Sequence, residues 1–181
     1  MGRLTINKLK QYSRGNTLIE TGMEGGSTIE TALTFGFTTM HTIEINPRYV
    51  EKAKLRWPDL PMLHIHQGDS PDILKQICPT LTEAATFWLD AHLTGGDSGV
   101  SDKYGECPLL EELAAISMSP YKEHAILIDD CRIMGNYGNW PTLEQVKEAI
   151  YKINPNYEII FVGSLDDYDC TPNDVLVALV N

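Results

Sequence analysis

The chain has 181 residues, 43% hydrophobic and 22% charged, which is typical of one soluble globular domain whose core needs no disulfide or metal. A net charge of -11 would repel a phosphate backbone, which makes nucleic acid a poor partner. No stretch approaches the roughly 18 consecutive apolar residues of a membrane span, and residues 1–16 lack the apolar core of a signal peptide. We therefore expect a cytoplasmic protein without a membrane partner.

Strand-like and helix-like segments alternate from Thr17 onward, after a lead-in over residues 1–16. This alternation predicts a single α/β domain over 1–181, with a doubly wound and mostly parallel sheet. The last two strands are joined by a loop too short for a crossover helix, so they should pair antiparallel. The predicted strands are an apolar run at Leu18 and Ile19, then 39–45, 62–67, 84–89, 125–128, 157–162 and 175–180.

The first predicted strand runs into a glycine-rich turn within residues 17–28, TLIETGMEGGST. Gly22 and Gly26 let a ligand approach bare backbone, and Ser27 opens a helix whose N-terminus offers unpaired N–H groups. The turn therefore predicts a nucleotide-like cofactor. Its glycines do not have the GxGxxG spacing of a dinucleotide site.

Carboxylates end nearly every predicted strand, at the sheet edge where ligands of parallel sheets collect. Glu44 stands about 24 residues beyond Glu20, a spacing typical of an acidic residue that binds ribose hydroxyls, although it could instead be a solvated helix cap. Asp69 and Ser70 could contact adenine or cap a helix. Two further groups follow: Asp90 with His92, and Asp129 with Asp130.

In these residues the chain resembles the class I S-adenosylmethionine (SAM)-dependent methyltransferases. Glu20, Gly22 and Gly26 match the family's acidic-x-Gly-x-Gly-x-Gly motif, while Glu24 replaces its middle glycine. Glu44, Asp69 with Ser70, and Asp90 match the acidic and polar positions after strands two, three and four. The resemblance implies a seven-stranded Rossmann-like sheet of order 3-2-1-4-5-7-6 with SAM bound over Glu20 to Gly26, Ser27 included.

The acidic residues also resemble those of the metal-dependent O-methyltransferases of catechol and macrocin type. That resemblance implies Mg2+ or a similar divalent cation at Asp90, Asp129 and Asp130, bound beside a substrate hydroxyl. His92 matches the position of a base in the macrocin-like enzymes, or it could anchor a loop. Asp129 and Asp130 could instead cap the next segment. The stretch 87–113 is also similar to small uncharacterised bacterial and phage methyltransferase-like proteins.

Residues 92–107 form a glycine-rich segment that we expect to act as a lid, because loops this long in compact domains are usually functional. A second subunit of a homodimer could supply the cover instead. The expected function is methylation of a hydroxyl on a small molecule or sugar. The alternatives are a metal-independent methyltransferase acting on an amine or another acceptor, and a non-catalytic SAM- or nucleotide-binding module.

Overall fold

A computed structural model of the chain describes residues 3–93, 99–164 and 171–180. The expected lid at 92–107 lies partly outside the described residues, and so does the acidic loop before the last strand. Within the described ranges no helix is both long and apolar enough to cross a membrane.

Seven strands form one sheet in the order β3-β2-β1-β4-β5-β7-β6. The strands β1 to β5 run parallel, whereas β7 is antiparallel to both β5 and β6. This arrangement confirms the predicted fold class and strand order. The strands are β1 Thr17–Thr21, β2 Thr39–Glu44, β3 Leu63–Gln67, β4 Thr86–Leu89, β5 Ala125–Ile128, β6 Glu158–Val162 and β7 Val175–Leu179.

In the described ranges six α-helices connect or precede the strands, and several of their ends follow from local chemistry. Gly36 ends α2 in the left-handed conformation, and Asn46 caps α3 with Pro47 in its first turn. Thr142 and Gln145 form a reciprocal capping box on α6. The helices are α1 Ile6–Tyr12, α2 Ser27–Phe35, α3 Pro47–Arg56, α4 Ser70–Ile77, α5 Leu109–Ile116 and α6 Leu143–Ile153.

The core lies on both faces of the sheet. One face packs against α4, α5 and α6 through Leu74, Leu113 and Val146. The other face meets α1 and α2, so the lead-in is a helix whose Leu9 and Tyr12 belong to the core. Because both faces are covered, β4 and β5 are buried along their whole length.

The strand order reverses between β1 and β4, which are direct neighbours. Their registered ends, Thr21 and Leu89, place the glycine turn after β1 beside Asp90 after β4. A reversal point of this kind opens a crevice at the carboxyl ends of the strands. The fold thus brings the predicted site residues to one edge.

Candidate cofactor and metal site

The turn after β1 is shaped by two left-handed glycines. Gly22 has φ of 81°, and a Cβ there would come within 3.0 Å of the Asp90 carbonyl oxygen. Gly26 has φ of 79° and begins α2, where a Cβ would meet the ring of Trp57 equally closely. Only glycine satisfies both the conformation and the close packing.

Glu24, which departs from the family motif, is exposed and left-handed, with φ of 45°. Its backbone N–H donates to Glu44 Oε2 at 2.9 Å, and the Asn46 N–H donates to Glu44 Oε1 at 2.7 Å. Glu44 therefore holds the turn from the end of β2. Its carboxylate is buried to 7% exposure yet still lines a cleft.

A cleft of about 690 Å³, counted up to open solvent, lies over the ends of β2, β3 and β4; we call it the strand-end cleft. It brings six of the predicted site residues together. They are Gly22, Glu44, Asp69, Ser70, Asp90 and His92.

Asp69 and Ser70 occupy the first positions of α4 beside this cleft. Asp69 stands at the N-cap without making a side-chain capping bond, and its Oδ1 is buried with no hydrogen-bond partner. The Ser70 hydroxyl instead donates to Glu112, a buried residue of α5. Burial raises the pKa of Glu112. Sequence reasoning missed Glu112, although its spacing from Leu109 and Ile116 places it on the core face of the helix.

A second cleft of about 920 Å³, again counted to open solvent, lies at the N-terminus of α2; we call it the helix-side cleft. Glu20 and Ser27 line it, and Gly22 and Asp90 border both clefts. Glu20 is 2% exposed and accepts a 2.6 Å hydrogen bond from the Thr42 hydroxyl. Burial outweighs that bond and raises the pKa of Glu20 to about 7.

Five residues form an acidic centre next to the strand-end cleft: Asp90, His92, Asp129, Asp130 and Asp174. His92 Nε2 lies 2.9 Å from Asp130 Oδ2 and 3.3 Å from Asp90 Oδ1. Ligand atoms of these three residues all lie within 4.8 Å of one another, as do those of Asp129, Asp130 and Asp174. The predicted trio Asp90, Asp129 and Asp130 is thus divided between two groups that share Asp130.

Asp174 and Arg132 were not anticipated from the sequence. Asp174 immediately precedes β7, which pairs with β5 and so brings it beside Asp130. The Arg132 guanidinium forms an ion pair with Asp130 and another, at 2.6 Å, with Asp174. Both Asp129 oxygens, by contrast, are buried and have no hydrogen-bond partner among the described residues. Asp129 is therefore the carboxylate of this centre whose charge lacks such compensation.

The carboxylates of the centre differ in proton affinity. Burial, followed by the charges of Asp129 and Asp130, raises the pKa of Asp90 well above its usual range. Burial and Asp130 raise the pKa of Asp129 to about 6. For Asp130, burial acts in the raising direction, but His92 and Arg132 outweigh it and lower the pKa. Such divergent values in one cleft are typical of functional sites.

The described part of the expected lid borders the strand-end cleft. Gly99, Ser101 and Gly105 line the cleft. Tyr104 and Lys103 attach this segment to α4, because the Tyr104 hydroxyl donates to Asp72 at 2.6 Å and Lys103 pairs with the same carboxylate at 2.7 Å. Residues 94–98 of the segment lie outside the described residues.

Solved structures share this fold. An O-methyltransferase from Bacillus cereus in complex with SAH has a TM-score of 0.62 and 14% identity over 97% of this chain and 78% of that chain. The O-methyltransferase TomG from Streptomyces achromogenes, in complex with SAM, has a TM-score of 0.61 and 14% identity over 97% of this chain and 77% of that chain. SAM-bound CalS10, an amino pentose methyltransferase from Micromonospora echinaspora, has a TM-score of 0.60 and 14% identity over 97% of this chain and 87% of that chain.

These likenesses establish the architecture: the chain has the seven-stranded Rossmann-like fold of class I SAM-dependent methyltransferases. At 14% identity they show the fold alone. No protein-family model matches the sequence, and neither does any curated protein sequence.

Proposed function

We propose that the protein is a SAM-dependent methyltransferase that methylates a hydroxyl of a small molecule or sugar with the help of a divalent cation. One observation carries the proposal: the strand-end cleft, bordered by the left-handed Gly22 and by Glu44, opens onto the acidic centre through Asp90 and His92. The cofactor and the acceptor hydroxyl would therefore lie next to each other at Asp90. The SAM- and SAH-bound neighbours of the same fold support the choice of cofactor.

The cofactor would occupy the strand-end cleft. Glu44 would accept hydrogen bonds from the ribose hydroxyls, and Asp69 has a buried oxygen without a partner that could accept one from the adenine side. The close packing of Gly22 against the Asp90 backbone would hold the turn beside the methionine portion. The exposed Glu24 also lines this cleft, where its carboxylate would meet the ammonium group of the methionine portion. Bound SAM would supply an electrophilic methyl group on a sulfonium.

The acidic centre fits a hard divalent cation such as Mg2+. Its donors are carboxylates, and both oxygens of Asp129 are buried without a partner, a costly state unless a cation or proton compensates it. Asp129 and Asp130 would hold the ion from one of the two groups and Asp90 from the other, with Arg132 balancing the remaining charge of Asp130 and Asp174. A bound cation would make the acceptor hydroxyl more acidic and fix its position.

His92 is the residue that we assign to proton removal. Its Nε2 faces Asp130 and Asp90, and these carboxylates would stabilise the imidazolium formed when the ring takes the acceptor's proton. Trp140 packs edge-on against the ring at 4.6 Å between centroids and restrains its rotation. The segment 92–107 would exclude water from the site.

A second candidate function is metal-independent methylation of an amine. The helix-side cleft favours it, because four acidic residues line that cleft beside one basic residue, Arg3: they are Glu20, Glu24, Glu30 and Asp90. Such a lining fits a cationic acceptor, and the shared fold of an amino pentose methyltransferase is compatible with it.

Calorimetric titration of Mg2+ into the SAM-loaded protein separates the two functions. We expect one Mg2+ site in the wild type and none in the Asp129→Ala Asp130→Ala variant, with SAM binding retained in both. If SAM binds while neither protein binds a divalent cation, the metal-dependent function is wrong and the amine acceptor becomes the better proposal.

A further inference from the structure

Three of the five histidines gather on one face of the sheet, outside the lining of both clefts as the described residues define it. His41 lies on β2, and His64 and His66 lie on the edge strand β3. The register pairs His41 with His64 and Ile43 with His66. Because side chains alternate along a strand, all three rings share one face.

The rings are already in contact. His41 Nδ1 lies 3.0 Å from His66 Nε2, and the His41 ring stacks on that of His64 with 4.8 Å between centroids and 23° between planes. His64 is exposed, whereas His41 and His66 are half-buried. A small ion could thus reach the group from solvent.

We propose that His41, His64 and His66 form a binding site for a transition-metal dication of the zinc, nickel or copper type. Two imidazole nitrogens on one such ion lie roughly 3.0–3.4 Å apart, given metal–nitrogen distances of about 2.1 Å and angles between 90° and tetrahedral. The His41 and His66 nitrogens have this separation already. His64 can supply a third nitrogen by rotating its exposed side chain.

Protonation does not compete with the metal at neutral pH. Burial, followed by the neighbouring His64 and His66, lowers the pKa of His41 to about 4, and burial also lowers the pKa of His66. In the metal-free pair one ring donates its N–H to the other. On metal binding that proton moves to the second nitrogen of the same ring, so no net proton is released and both facing lone pairs become available.

The donor chemistry distinguishes this site from the acidic centre. Imidazole nitrogens favour copper, nickel and zinc, whereas Mg2+ prefers carboxylate and water oxygens. The ion would join β2 to β3, whose ends carry Glu44 and the turn into Asp69. The histidine site does not depend on the proposed methyltransferase function, because it uses none of that site's residues.

The test is calorimetric titration of Ni2+ and Zn2+ into the SAM-free protein. We expect two sites in the wild type, one at the histidines and one at the acidic centre. The His64→Gln His66→Gln variant should bind at least ten-fold more weakly at the first site, whereas the Asp129→Ala Asp130→Ala variant should lose the second site and keep the first. Two unchanged sites in the histidine variant would overturn the histidine site, as would an Asp129→Ala Asp130→Ala protein that binds neither ion.

A second measurement locates the ion without a substitution. Paramagnetic Ni2+ or Cu2+ should broaden the amide NMR signals of residues 40–43 and 63–67 first, because the effect falls steeply with distance. Broadening centred on residues 90–92 and 129–131 instead would show that the ion binds the acidic centre and would contradict the histidine site.

Discussion

The Glu24 backbone N–H donates to Glu44 Oε2 at 2.9 Å, so the glycine turn after β1 is held by the carboxylate that ends β2. The residue that departs from the family motif thereby contributes its backbone, while its side chain lies exposed. Glu44 consequently has two tasks in the proposed site, which are to hold the turn and to accept hydrogen bonds from the ribose.

Replacing Glu44 should weaken SAM binding. Glu44→Gln keeps one acceptor oxygen but loses the charge, and a hydrogen bond to a charged group contributes about 1.5–3 kcal/mol, so we expect a roughly ten- to hundred-fold higher Kd. Glu51→Gln, an exposed change on α3, is the matched control and should leave the Kd unchanged. Calorimetry measures both values. Equal Kd values for the two variants would remove Glu44 from the cofactor site.

The stability of the protein should depend on pH through Glu20. Its pKa is raised from 4.5 to about 7 in the folded state, so the folded state holds the proton more tightly than the unfolded state does. The free energy of unfolding therefore falls as the pH rises from about 4.5 to 7 and stays lower above that range.

Glu20→Gln removes this dependence and preserves an acceptor for the Thr42 hydroxyl. The free energy of unfolding of the variant minus that of the wild type should be about 2 kcal/mol larger at pH 8 than at pH 5. Urea unfolding at the two pH values measures the difference. A difference that is the same at both pH values would show that Glu20 does not titrate as described.

Replacing Asp129 should make the protein more stable and abolish its metal binding. Its two buried oxygens lack partners in the metal-free protein, so Asp129→Asn removes an uncompensated charge and should raise the free energy of unfolding by about 1–2 kcal/mol at pH 8. The same variant should lose Mg2+ binding. Asp59→Asn, an exposed carboxylate, should change neither quantity. A less stable Asp129→Asn protein that still binds Mg2+ would assign Asp129 a purely structural role.

The contact between the lid segment and α4 should govern how long the cofactor stays bound. Asp72→Ala removes the partner of both Tyr104 and Lys103, and because these contacts are exposed we expect only a two- to ten-fold faster dissociation of SAM. Stopped-flow displacement measures that rate. The Asp59→Asn variant serves again as the control. Equal SAM dissociation rates in the two variants would show that the contact of this segment with α4 does not help to retain the cofactor.

The strands, the residues at their ends and the antiparallel last pair could be predicted from the sequence, because hydrophobic runs such as 125–128 and the short connection before β7 carry that information locally. The strand order came from the resemblance to the SAM-dependent methyltransferases. The partners of the strand-end residues could not be predicted. Asp174 reaches Asp130 only through the antiparallel pairing of β7 with β5, and Arg132 meets both carboxylates only in the folded chain. The stacking of His41 on His64 likewise depends on a register that the sequence does not state.

The central claim is that SAM binds over the turn at Gly22, and titration of SAM into the wild type and Gly22→Ala proteins tests it most directly. The wild type should bind one SAM per chain. Gly22→Ala should bind at least ten-fold more weakly, because its Cβ would collide with the Asp90 carbonyl at a left-handed backbone, whereas Gly25→Ala, with open space around it, should bind like the wild type. A wild type that binds no SAM, or a folded Gly22→Ala protein that binds it normally, would contradict the account.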